Sequence, residues 1–118
     1  KANSNYSVAY GPTSLANGNY SVSIGFNSGA TRESAISIGV GSRANGLFSV
    51  AYGGNSLAEG TSSVSVGVNS AATGTSAIAI GSNSKANGIN SVAIGLDSVS
   101  NTDDQIVFLN TFPAICTN

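Results

Sequence analysis

Histidine, tryptophan and methionine are absent from the 118 residues, cysteine occurs once and proline twice. Without histidine there is no imidazole base and no ordinary zinc site. A lone Cys116 excludes an internal disulfide. Only 8% of residues are charged, four basic against five acidic, for a net charge of -1. The basic side chains stand singly and cannot neutralise a row of phosphates, so no nucleic-acid partner is expected. No apolar run reaches the length of about eighteen residues needed to span a bilayer, so no membrane insertion is expected of this segment. The N-terminus has no basic-then-apolar leader pattern. Lacking methionine, the chain reads as a processed product or an excised segment. Hydrophobic residues make up 41%, too many for a disordered chain so poor in charge.

What the chain does have is a period of fourteen. Asn90-Ser91-Val92-Ala93-Ile94-Gly95-Leu96-Asp97-Ser98 is echoed at every earlier step of fourteen, back to Ser7-Val8-Ala9-Tyr10-Gly11, with no insertion or deletion. Seven units in one register mean one supersecondary unit stacked many times. We number the Ser or Ala that opens each unit as slot one. Slot two is Val8, Val22, Ile36, Val50, Val64, Ile78 and Val92, and slot four is Tyr10, Ile24, Ile38, Tyr52, Val66, Ile80 and Ile94. The period lands once more at Ile106 and Phe108. These residues are β-branched or large and sit two apart, so they share one face of a strand. They are the expected core.

Slot five is always Gly, and slot seven is often Asn or Asp (Asn27, Asn55, Asn69, Asn83, Asp97), which is turn chemistry. Slot eight is always Ser. Slot ten is Ala six times and then Ser100, while slot nine varies from Leu15 and Gly29 to Arg43 and Lys85. A second, half-buried strand is expected there, with slots eight and ten facing in. Slot twelve is Gly in five units. One unit is therefore strand, turn, strand, turn.

An antiparallel meander and a solenoid both use such a unit. The solenoid sets every slot above its own copy and so explains why each slot keeps one size and polarity. The expected fold class is all-β, a parallel β-roll or solenoid of fourteen-residue coils over residues 1–109, with a C-terminal tail at 110–118. Slot three, lying between two core slots, is expected to point outward, yet it is only Ala9, Ser23, Ser37, Ala51, Ser65, Ala79 and Ala93. An outward ladder of small residues predicts close approach by another chain, and a thin slab needs such help to bury apolar area. These seven form the expected subunit interface.

No catalytic, metal or cofactor site is expected. The five carboxylates lie in separate turns or free slots; only Asp103 and Asp104 adjoin, and they read as a solvated turn. The serine ladders have no base to activate them. Tyr6, Tyr20 and Phe48 share slot fourteen, and Phe26 occupies slot six. Such aromatics form a binding patch or cover a subunit boundary. Asn5-Tyr6-Ser7 and Asn19-Tyr20-Ser21 fit the glycosylation sequon.

The unit Ser-Val-Ala-Ile-Gly-x-x-Ser-x-Ala-x-Gly-x-x, carried in seven consecutive copies over about residues 2–102, resembles the head repeat of the YadA-like trimeric autotransporter adhesins. The resemblance implies a left-handed β-roll and a homotrimer around a threefold axis. It further implies an extracellular, outer-membrane-anchored cell-surface fibre whose head attaches to a collagen-like extracellular-matrix protein or a host cell-surface receptor. Collagen binding in that family is tied to a motif that stands intact here once, at Asn90, Ser91, Val92, Ala93, Ile94, Gly95 and Ser98. Leu109 replaces the turn glycine, so the roll is expected to stop or be capped there. The run Asn101 to Leu109 also resembles the last coil of some phage and virus tail fibres. A fibre shaft and an end-to-end filament subunit therefore stand as alternative functions.

Overall fold

A computed structural model describes residues 1–108; Leu109, where the roll is expected to stop, and the tail at 110–118 with Cys116 lie outside the described residues. Each unit folds as a three-residue strand, a turn, a two-residue strand and a second turn. In chain order these are β1 (Val8–Tyr10), β2 (Leu15–Ala16), β3 (Val22–Ile24), β4 (Gly29–Ala30) and β5 (Ile36–Ile38). There follow β6 (Arg43–Ala44), β7 (Val50–Tyr52), β8 (Leu57–Ala58), β9 (Val64–Val66) and β10 (Ala71–Ala72). The series ends with β11 (Ile78–Ile80), β12 (Lys85–Ala86), β13 (Val92–Ile94), β14 (Val99–Ser100) and β15 (Ile106–Phe108).

The odd-numbered strands form one eight-stranded sheet and the even-numbered strands a seven-stranded one. Every pairing is parallel and joins a residue to its copy fourteen positions on, as in Val50 with Val64 and Leu57 with Ala71. This is the solenoid, not the meander. The Val8 N–H donates to the Ser21 carbonyl at 2.9 Å and the Gly25 N–H to the Tyr10 carbonyl at 2.8 Å, and the same exchange recurs up the rod. The turns join the ladder too: the Asn55 N–H reaches the Val40 carbonyl at 2.8 Å. The resulting body measures 52 × 23 × 16 Å.

The two turns demand left-handed backbone at slots seven and fourteen; at slot seven Asn27, Asn55, Asn69, Asn83 and Asp97 have φ of 57–62°. The slot-five glycine is required twice over. Gly25 has φ +129°, and a Cβ there would stand 2.6 Å from the carbonyl oxygen of Gly39 in the next coil. At slot twelve sterics alone suffice: a Cβ on Gly60 would lie 1.9 Å from the Gly74 oxygen.

The interior reverses the expected assignment of the first strand. Slot three points inward: Ser23, Ser37, Ala51, Ser65, Ala79 and Ala93 are fully buried, and Ala9 in the first coil is partly so. These side chains lie inside their own coil and cannot be the surface on which another chain sits. The expected core rows face outward instead. Val22, Ile36, Val50, Val64, Ile78 and Val92 are half-buried, with Val8 and Ile106 exposed at the ends. Ile24, Ile38, Val66 and Ile94 are likewise half-buried, and Tyr10, Tyr52, Ile80 and Phe108 are exposed.

The physical reason is volume. A coil that closes in fourteen residues through two tight turns holds its two sheets so near that nothing larger than Ser is fully buried. The interior is lined by slots one and three from the first strand and slots eight and ten from the second, all Ser or Ala in the seven full units. The expected inward direction of slots eight and ten holds: Ser42, Ala44, Ala58, Ser84 and Ala86 are buried. Buried methyls of alanine contribute only about 0.8 kcal/mol each. The ladders and the stacking of each outer aliphatic on its copies about 4.8 Å away therefore carry much of the cohesion.

Candidate functional site

The invariant serine of slot eight has a structural task. In five of the seven units its hydroxyl turns back to the slot-five carbonyl, as Ser42 to Gly39 at 2.9 Å, Ser84 to Gly81 at 2.8 Å and Ser98 to Gly95 at 3.0 Å, while the hydroxyls of Ser14 and Ser56 meet no partner. Where slot three is also serine the two hydroxyls pair across the interior: Ser23 with Ser28 at 2.7 Å, Ser37 with Ser42 at 2.7 Å, Ser65 with Ser70 at 2.6 Å. Slot one repeats the device at the other turn, as Ser49 donates to the Gly46 carbonyl at 2.6 Å. Ser21, Ser63 and Ser91 occupy the same slot with hydroxyls that meet no partner. A rotation about one bond brings each toward the equivalent carbonyl of Gly18, Gly60 or Gly88. The serine ladders close turns.

The motif Asn90 to Ser98 divides accordingly. Ser91, Ala93 and Ser98 are fully buried. Gly95 turns the chain with φ +121°. Asn90, Leu96 and Asp97 are exposed, Val92, Ile94 and Gly95 are half-buried, and the Asn90 amide donates to the Asp104 carboxylate at 3.3 Å. Most of the motif is therefore spoken for by the fold. Asp103 and Asp104 each reach back to the preceding coil, since the Ile89 N–H donates to Asp103 at 2.8 Å and the Asn90 amide to Asp104. Among the described residues no group of three or more potential ligands stands ready for a metal.

What remains for recognition is the outside, and it has three parts. The odd-strand sheet presents two rows without a single charge, one aliphatic and one aliphatic interrupted by Tyr10, Tyr52 and Phe108. The even-strand sheet presents the variable slot nine, with Arg43 and Lys85 exposed, beside a polar ladder at slot eleven. Along that ladder Asn3 donates to Asn17 at 2.6 Å, Thr31 to Asn45 at 3.1 Å, Thr73 to Asn87 at 2.9 Å and Asn87 to Asn101 at 2.8 Å. The third part is the corner at slot fourteen. Tyr6 and Tyr20 stack there with centroids 5.3 Å apart and planes 5° from parallel. Gln105 was not anticipated: its side-chain oxygen accepts from the Asn101 and Thr102 N–H groups and so closes the last turn. Gln in a slot otherwise reserved for Ser or Ala was the available signal.

A strand of three, a strand of two, a Gly at the first turn and inward Ser and Ala together describe a repeat that is matched by a family model. The YadA head domain repeat, taken two copies at a time, matches residues 1–28, 30–56, 58–84 and 72–98. The chain belongs to the YadA head-repeat family. Among solved structures it is similar to the collagen-binding domain of the Yersinia adhesin YadA, with a TM-score of 0.71 and 23% identity over 91% of this chain and 83% of that one. At that identity the likeness speaks for the roll itself. No curated protein sequence matches the chain. The head repeat of that family and this chain thus share the roll.

Proposed function

We propose that the chain is a structural and adhesive head module of an extracellular fibre, assembled as a homotrimer through the outward face of its odd-strand sheet. The observation that carries this is the uncharged aliphatic surface made by slots two and four. Eight strands of three residues make a face roughly 34 Å by 10 Å, about 340 Å² before side-chain relief, a size at which an apolar patch is functional. Val22, Ile24, Ile36 and Ile38 are only half-buried by their neighbours in the row and gain most from a second sheet laid against them. The threefold count is what the family implies, and it replaces the slot-three interface with one made of slots two and four.

The adhesive part of the reading draws on the family and on the Yersinia relative, whose structure is that of a collagen-binding domain. Matrix protein of the collagen type is the proposed partner, or a receptor on a host cell. With three chains joined, weak contacts repeated along each rod add as avidity. The surface left free has no cluster of acid, base and nucleophile, which suits binding rather than turnover. Two measurements test the reading. Light scattering across a concentration series should give a mass of three chains, and immobilised collagen should retain the protein. A mass of one chain at all concentrations overturns the assembly, and indifference to collagen overturns the proposed partner.

A further inference from the structure

At slot fourteen the outside departs from the rest of the repeat. Tyr6, Tyr20, Ser34, Phe48, Ser62, Ser76, Asn90 and Asp104 all hold left-handed backbone there, with φ of 55–61°. Asn and Asp accept that region readily, and bulky side chains rarely do. Yet three of the first four positions are aromatic and none of the last four is. All three stand at the surface: Tyr6 is 79% exposed, Tyr20 58% and Phe48, half covered, 50%. Large side chains held in unfavourable backbone where they cover no core point to a ligand.

Spacing selects which ligand. Copies of one slot stand about 4.8 Å apart, so Tyr20 and Phe48, two coils apart, are separated by about 9.6 Å at their Cβ atoms. Between them Ser34 leaves a notch in the aromatic ladder. A polyproline II chain has three residues per turn and a rise of about 3.1 Å, hence a repeat of about 9.3 Å. Two coils of the roll and one turn of that helix are therefore nearly commensurate. We propose that the corner from Tyr6 to Phe48 docks a proline-rich chain in this conformation, running along the rod axis. One pyrrolidine ring enters the notch above Ser34, between Tyr20 and Phe48. One turn away the same face of the chain arrives at Tyr6, two coils earlier, against the stacked Tyr6–Tyr20 pair. Aromatic-lined surfaces are the usual readers of this helix, whose backbone carbonyls stay free to accept hydrogen bonds. The exposed side-chain amides of Asn5 and Asn19, beside the ladder, are donors for them. Arg32 and Glu33 offset one another next to the notch, leaving the corner neutral, as suits an uncharged chain.

The inference rests on the adhesive reading above and gives its partner a chemistry and a place. Its test is binding of a labelled oligoproline peptide by fluorescence anisotropy, with solution mass measured on every variant. The wild-type protein should bind. Tyr20→Ser with Phe48→Ser should weaken binding about tenfold or more, as loss of central aromatic contacts does, with mass unchanged. Ser34→Phe, which fills the notch and adds a ring, should weaken binding as much. Three results overturn the proposal: no binding by the wild type, equal binding by the variants, or loss of assembled mass together with binding, which makes the rings part of the subunit boundary. Equal binding of a proline-free peptide of matched length overturns it as well. If oligoproline binds and collagen does not, the matrix partner falls and the docking corner stands. If collagen binding survives both variants, the corner falls and the matrix partner stands.

Discussion

On the odd-numbered strands the outward positions run Val, Val, Ile, Val, Val, Ile, Val in one row and Tyr, Ile, Ile, Tyr, Val, Ile, Ile in the next. On the even-numbered strands the outward position runs Leu, Gly, Arg, Leu, Ala, Lys, Val. Both sheets are lined on the inside by the same Ser and Ala. Since the interiors are alike, the contrast is not dictated by the inside of the coil, and the proposed assembly accounts for it by what each outer face meets. A face in water tolerates any residue that a short strand accepts. A face under another sheet must stay apolar at every level, because one uncompensated charge there loses its solvation. The uniformity of slots two and four is what the proposed assembly requires of its contact face, and the drift of slot nine is what solvent permits.

Charge substitutions put the contrast to its sharpest trial. Ile38→Asp with Ile80→Asp should reduce the assembled mass to that of one chain, while Leu57→Asp with Val99→Asp on the other sheet should leave it unchanged. Equal behaviour of the two pairs in light scattering removes the distinction between the faces. Next in size is an enlargement of the interior. Ala51→Leu should destabilise the roll by about 3 kcal/mol or more in thermal unfolding, because backbone lies on both sides and cannot retreat. Had Ala51 faced outward, the change would cost almost nothing.

Smaller effects separate the two kinds of coil. Ser42→Ala removes the bond to the Gly39 carbonyl and strands the buried Ser37 hydroxyl, and should cost about 2 kcal/mol in denaturant unfolding. Ser84→Ala, opposite Ala79, leaves no orphan hydroxyl and should cost nearer 1 kcal/mol. The smallest change expected is a gain. Phe48→Asn relieves a left-handed aromatic and should raise stability by about 1 kcal/mol at most, visible as a higher melting temperature. A loss instead means that the Phe48 ring packs usefully on the corner.

Much of this architecture was legible in the order of residues. The strict period of fourteen led to parallel pairing in that register, Gly at slot five and Asn or Asp at slot seven located the first turn, and Arg43 and Lys85 marked slot nine as outward. The family was legible from the same repeat. The first strand was misread because Val and Ile are ordinarily the inside of a sheet, and alternation only says that slots two and four face opposite to slot three. It does not say which way. The signal that decides is size: Ala9, Ser23, Ser37, Ala51, Ser65, Ala79 and Ala93 never exceed what slots eight and ten hold.

Of the candidate site, the motif at Asn90 to Ser98 could be found in the chain, but not the burial that takes Ser91, Ala93 and Ser98 out of reach. The sequence by itself determined the repeat, its register and its turns, because these depend on local chemistry copied fourteen residues apart. Which side of the first strand is the interior, and that Tyr6 and Tyr20 stack beside a notch at Ser34, only the tertiary structure decided. Closing a coil so short brings two backbones together, and that closeness, absent from any single strand, excludes every large side chain from the inside.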